Sequence, residues 1–275
     1  MQLSRQRFAL FALPAGVLFC LFFVLPVALI LGEALSDGGA FSRALSDPLF
    51  QRGLWGTVVL GTLTPLFSVA VGFCVTMGLN QMRPGVRTAT LFAISLPLTF
   101  SGLIVAYGFI LGFGRAGFVT QLLAQIGFDP AQVGALIYTP AGLGFAYSYY
   151  LIPRVVMILL PAVRNFDMVQ LSVARSLGAG RLRTLLGIML PQIFPSLVAA
   201  YCLTAAVAMG AYGTALALVG TQLNILPLLL YSKISEGGSD LPAAAAISLV
   251  LMALCCIVIT LGEWFVSSRE KMAAR

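Results

Sequence analysis

Residues 165–191 read NFDMVQLSVARSLGAGRLRTLLGIMLP, and an otherwise apolar chain is arranged around them. The stretch is the longest charge-bearing island between apolar runs, with Arg164, Arg175, Arg181 and Arg183 in or beside it. Asp167 is suited to cap a short helix, its carboxylate facing the unpaired N–H groups of the first turn. Met168, Leu171, Ala174 and Leu177 recur at near-helical spacing with Val169 and Val173 alongside, while Gln170, Ser172, Arg175 and Ser176 fall mostly elsewhere on the wheel. Gly178 and Gly180 offer turning points free of a Cβ penalty. A second amphipathic segment, Arg181 to Leu190, is expected to end at Pro191, where a helix loses a hydrogen bond. The pattern predicts helix, turn, helix, too short and too polar to cross a bilayer.

Outward from this island the chain is a membrane protein. Hydrophobic residues make up 60% of it and charged residues 9%, too little charge to clothe a water-soluble surface. About 20 apolar residues cross the hydrocarbon as a helix, which satisfies its own backbone there. Phe8–Gly32, Gly53–Met82, Thr88–Gly114, Pro130–Pro153, Thr184–Ser232 and Leu241–Gly262 carry no charge, and the fifth run is long enough for two helices. The expected fold is all-α and transmembrane, one domain over residues 1–275, with spans near 8–32, 54–80, 89–113, 138–161, 192–219 and 242–266 and a loop at 162–191. Ser36 to Arg52 reads as a loop and Phe118 to Ile126 as a short amphipathic helix, both on the outer side. Ile225–Leu230 is apolar enough to dip into the membrane.

Charge placement argues for six spans. Arg5, Arg7, Arg83, Arg87, the four loop arginines, Arg269, Lys271 and Arg275 then share one side. Glu33, Asp37, Asp47, Asp129, Glu236 and Asp240 gather on the other with Arg43, Arg52, Arg115 and Lys233. The positive-inside rule makes the first side cytoplasmic, with both termini and the central loop. The net charge of +7 therefore reflects basic loops facing anionic lipid and calls for no nucleic acid. The five cysteines lie in apolar runs without metal-ligand spacing.

Chemistry is scarce. The chain has no histidine, and neither lysine, Lys233 nor Lys271, follows a phosphate-cradling glycine loop. Span centres lack the carboxylates that proton-coupled carriers use as relays. A transporter with this inventory draws its energy from another polypeptide. Ser172-Val173-Ala174-Arg175-Ser176-Leu177-Gly178, nine residues, then Ile188-Met189-Leu190-Pro191, resembles the EAA loop of binding-protein-dependent ABC importer permeases. Ala174, Gly178, Ile188, Leu190 and Pro191 match that pattern in register. Ser172 stands where an acidic residue is usual and Val173 where the first alanine is usual.

The resemblance, nearest to permeases for polyamines, iron, thiamine and phosphonates, implies a six-helix type I importer permease fold whose cytoplasmic helix-turn-helix is a coupling loop. It implies no catalytic residue and no cofactor in this chain, with ATP and Mg2+ bound by a dimer of partner ATPases. A second permease subunit and an external solute-binding protein are the other implied partners. Asp167, Leu171, Ser172, Ala174, Arg175, Leu177, Gly178, Ile188, Leu190 and Pro191 become the ATPase-coupling residues, with apolar docking through Leu171, Ala174 and Leu177. The implied location is a bacterial inner membrane, and the implied solute is small and polar, a polyamine, a phosphonate or a related compound.

Arg154 is the one charge embedded in a span region, a candidate for meeting an anionic group, with snorkelling to the inner interface or pairing with Glu263 as the alternative. Tyr107, Tyr147, Tyr149, Tyr201, Thr204 and Tyr212 are further candidates for a polar path, with interfacial belts and ordinary helix packing as the alternative for most of them. An ATP-independent secondary carrier is the competing reading, and it would need intramembrane acids or broken-helix ion sites.

Overall fold

The computed structural model describes residues 13–235 and 240–273. The first residues of the first expected span and Arg5, Arg7, Glu236 and Arg275 lie outside the described residues, as do the side chains of Arg181, Arg269 and Lys271.

Among the described residues six helical stretches are long and apolar enough to cross a membrane, the third of them Gly102–Gln125, made of two helices and lying later in the chain than the span expected at 89–113. The first, α1, covers Leu13–Ser36. It widens into a π turn at Cys20–Val24, where the Leu25 N–H reaches back to the Cys20 carbonyl just ahead of Pro26. A wide turn relieves the clash a proline ring makes with the preceding turn. The segment expected as an outer loop is mostly helical, with α2 at Ala40–Ser46 and α3 at Pro48–Asn80. Pro48 opens α3 because its missing N–H is an orphan at that position, and the Asp47 carboxylate accepts from the Leu49 N–H at 2.9 Å.

The third apolar run is interrupted. Helix α4, Pro84–Ser95, passes into a 3-10 turn at Leu96–Thr99, and α5 starts afresh at Gly102–Phe113. Pro97 sits at the break, and Phe100 and Ser101 are extended between the two pieces. The expected amphipathic helix follows as α6, Phe118–Gln125, then α7, Pro130–Ala135, and the long α8, Pro140–Asn165. Helix α9, Val169–Ser176, leads to α10, Leu182–Met209. Two short helices come next, α11 at Gly213–Val219 and α12 at Leu226–Ser235, bent 76° from one another, before α13, Leu241–Ala273.

Breaks inside an apolar bundle expose backbone groups that hydrocarbon cannot solvate, so each needs a protein partner. Tyr147 of α8 donates to the Ala211 carbonyl at 2.7 Å, in the gap between α10 and α11. Thr214 of α11 donates to the Gly102 carbonyl at 3.0 Å. The Leu226 N–H at the start of α12 donates to the Thr57 hydroxyl of α3 at 2.8 Å. These bonds stitch the interrupted segments to the continuous ones. Around them Leu60, Val105, Ala106, Leu143, Leu151, Ala215 and Leu228 form the central core. Gly72 lets α3 close on α8, since a Cβ there would fall 2.6 Å from the Val155 side chain.

The two ends differ. At one end Ala34, Phe50, Leu226, Ala246 and Ile247 pack together, and ion pairs join Arg43 to Asp37 at 2.7 Å and to Asp240 at 3.2 Å, and Lys233 to Asp47 at 3.3 Å. The Gly39 N–H and then Arg43 hold Asp37 below the ordinary carboxylate value. Arg43 first, then the Ala243 N–H, does the same for Asp240. At the other end Val163, Phe166, Met189 and Ile193 form a seat under the 162–191 loop.

Candidate functional site

The loop folds as its residues dictate. The Asp167 carboxylate accepts from the Val169 N–H at 2.9 Å and starts α9. The helix stops because Gly178 turns left-handed at φ 86°, with the Gly178 N–H bonded to the Arg175 carbonyl and the Ala179 N–H to the Ala174 carbonyl at 2.9 and 3.0 Å. That paired closure is a Schellman turn, and the positive φ is why the position suits glycine. Gln170 of α9 is tied to Gln192 of α10, whose amide donates at 2.7 Å.

The chain does not end its helix at Pro191. Leu185–Met189 widens into a π turn, the Leu190 N–H reaches back to the Leu185 carbonyl, and α10 continues through Pro191. The bond lost at the proline is absorbed by a wide turn, as at Pro26. What looked like the second half of a hairpin is the first stretch of the fifth span.

Burial divides the loop residues. Leu171 packs inward on Phe166, Met189 and Ile193, so it is unavailable to any partner, contrary to the docking role expected for it. Ala174, Ile188 and Leu190 are half-buried. Val169, Val173 and Leu177 lie on the opposite side of α9 and are 64%, 53% and 83% exposed. Ser172, Arg175, Gly178 and Pro191 are exposed as well. None of the ion pairs among the described residues involves Arg164, Arg175 or Arg183. The exposed apolar face thus has arginines around it, an arrangement open to a protein partner or to lipid headgroups.

The polar-path candidates scatter. Tyr107 is exposed on the side of the bundle, and Tyr149 lines an apolar groove with Phe100, Ile104 and Phe145. Thr204 is fully buried, its hydroxyl bonded to the Ala200 and Tyr201 carbonyls of its own helix. Tyr212 packs its ring on Tyr231 at 5.3 Å. Arg154 is half-buried on a cavity of about 320 Å3, with Pro97, Phe100, Tyr150, Gly210 and Thr214. Glu263 lines a separate groove beside Cys202, and no ion pair among the described residues joins it to Arg154. Tyr150 and Thr214 are the members that sequence reasoning passed over. Tyr150 lies one turn before Arg154, a spacing that was there to be read.

Residues 68–271 match the family described as binding-protein-dependent transport system inner membrane component. The chain belongs to that family, and is a multi-pass ABC importer permease subunit. It is 29% identical over 243 residues to the probable ABC transporter permease protein y4fN of Sinorhizobium fredii, covering 88% of this chain but 42% of that protein. It is 26% identical over 203 residues to the spermidine/putrescine transport system permease protein PotB of Escherichia coli, covering 70% of this chain and 74% of PotB. Its fold is similar to that of a chain in the crystal structure of a bacterial alginate ABC transporter in complex with an alginate pentasaccharide-bound periplasmic protein. The TM-score there is 0.74 at 18% identity, over 94% of this chain and 93% of that one.

Proposed function

We propose that the chain carries a small polar solute inward by alternating access, driven by ATP hydrolysed on a separate ATPase dimer that holds the nucleotide and Mg2+. The observation that carries this reading is the build of the loop. A short helix, capped at both ends and seated on Met189 and Ile193, presents Val169, Val173 and Leu177 away from the bundle. A rigid lever on a packed seat passes a partner's motion to the spans, which rock between two arrangements. The basic loop and both termini face the cytoplasm, a second permease subunit completes the enclosure, and an external binding protein delivers the solute.

Gly178→Asp tests the coupling. Nothing lies within 4 Å of the added Cβ, but the new carboxylate puts a negative charge at the C-terminal end of α9, where the helix dipole disfavours it, and beside the exposed apolar face. The variant is expected to insert normally and to lose transport-linked ATP hydrolysis in the reconstituted complex. Full coupled transport by this variant would refute the assignment.

A further inference from the structure

We infer that the cavity around Arg154 receives an anionic group of the transported solute, a carboxylate, phosphonate or similar oxyanion, within the membrane. The inference rests on the importer reading above. Arg154 lies along α8 about 21 Å from Pro140 and about 17 Å from Asn165 at 1.5 Å per residue. A guanidinium at that depth is costly to desolvate and is kept for a partner. The cavity wall holds no carboxylate, and no ion pair among the described residues reaches Arg154.

Two other features of the wall share its sign preference, while the C-terminal end of α10 at Gly210 opposes it. The Tyr150 hydroxyl oxygen is buried with no hydrogen bond of good geometry, and the Thr214 hydroxyl beside it gives its own proton to the Gly102 carbonyl, so it offers Tyr150 an acceptor oxygen but no donor. The Tyr150 O–H can be given to an incoming acceptor, which competes for it with the Thr214 oxygen. Helix α5 begins at Gly102 on the same wall, so its positive end adds to the potential. Phe100 and Ser101 are extended there, and Gly210 closes α10 on the facing side. Broken helices meeting at mid-membrane are a common frame for a solute site, and about 320 Å3 suits a small head group at the low end of ligand cavities. An ammonium group would meet like charge at Arg154. The polyamine expectation raised by the resemblance is therefore set aside for this cavity.

A phospholipid phosphate offers the same chemistry, and the test separates the two sources. The full-length chain is placed in phosphatidylcholine nanodiscs. Its thermal unfolding is followed with sulfate, methylphosphonate or putrescine at constant ionic strength, each at about 10 mM to populate a millimolar site. An oxyanion is expected to raise Tm in the unaltered chain, less in Tyr150→Phe, and not at all in Arg154→Gln, with Arg154→Lys keeping part of the shift. Putrescine is expected to do nothing. Equal stabilisation by putrescine, a shift that survives Arg154→Gln, or no shift with either oxyanion overturns the inference. So does stabilisation by phosphatidylglycerol nanodiscs alone, with no further response to free oxyanion. Uptake that proves independent of ATP while the oxyanion shift stands counts against the importer reading and in favour of the cavity's charge preference.

Discussion

Single side chains hold this bundle together where its helices are interrupted. Tyr147→Phe removes the donor to the Ala211 carbonyl and leaves a part-buried acceptor unpaired, a loss of about 1 kcal/mol that thermal unfolding in detergent should register. Gly178 permits a graded test of the loop's turn. Asparagine tolerates a left-handed backbone and valine does not, so Gly178→Asn should keep most coupled ATP hydrolysis while Gly178→Val loses it. The capping role of Asp167 and the turn at Gly178 were legible in the sequence because both are local, and the structure shows each of them. The burial of Leu171 was not legible, since a helical wheel gives two apolar sides and cannot say which one the bundle covers. Tyr150 was legible as a neighbour of Arg154 but not as a path residue, because several tyrosines of one span look alike in the sequence.

At the scale of elements, α9 has two faces with opposite consequences. Leu171→Ala empties part of the seat on Met189 and Ile193, at a cost of about 2–5 kcal/mol, and should hasten proteolysis around residues 167–180. Leu177→Ala touches only the exposed face; Tm should be unchanged while co-purification of the ATPase weakens. The Arg43 clasp ties α2 to the start of α13. Asp37 and Asp240 sit below their ordinary value of 3.8, so their contribution is present above that pH and lost as pH falls through the lowered native values. Arg43→Gln should flatten the dependence of Tm on pH in that acid window, as a pH series of unfolding curves would reveal. Six spans could be counted from composition, but the interruptions at Leu96–Ser101 and Gly210–Tyr212 could not be placed. An apolar run looks alike whether its helix is whole or broken, and Pro97 was the sole local sign. Pro191 misled for the converse reason, because a π turn carries the helix past it.

Over the whole molecule, the ion pairs collect at one end and the loop projects from the other. In liposomes the chain alone should move no solute, and adding the ATPase, second permease and binding protein should restore ATP-dependent uptake; transport by the lone chain would contradict the proposed division of labour. The bent pair α11 and α12 has a consequence for how the protein is made. Its helices measure about 10 and 15 Å at 1.5 Å per residue, against a hydrocarbon thickness of about 30 Å, so neither qualifies for insertion by its own length. Yet Thr57, Gly102 and Tyr147, which bond this region, all precede it in the sequence. By the time the ribosome delivers the pair, the groups that receive it are already in the membrane, and an otherwise stranded segment has a berth waiting.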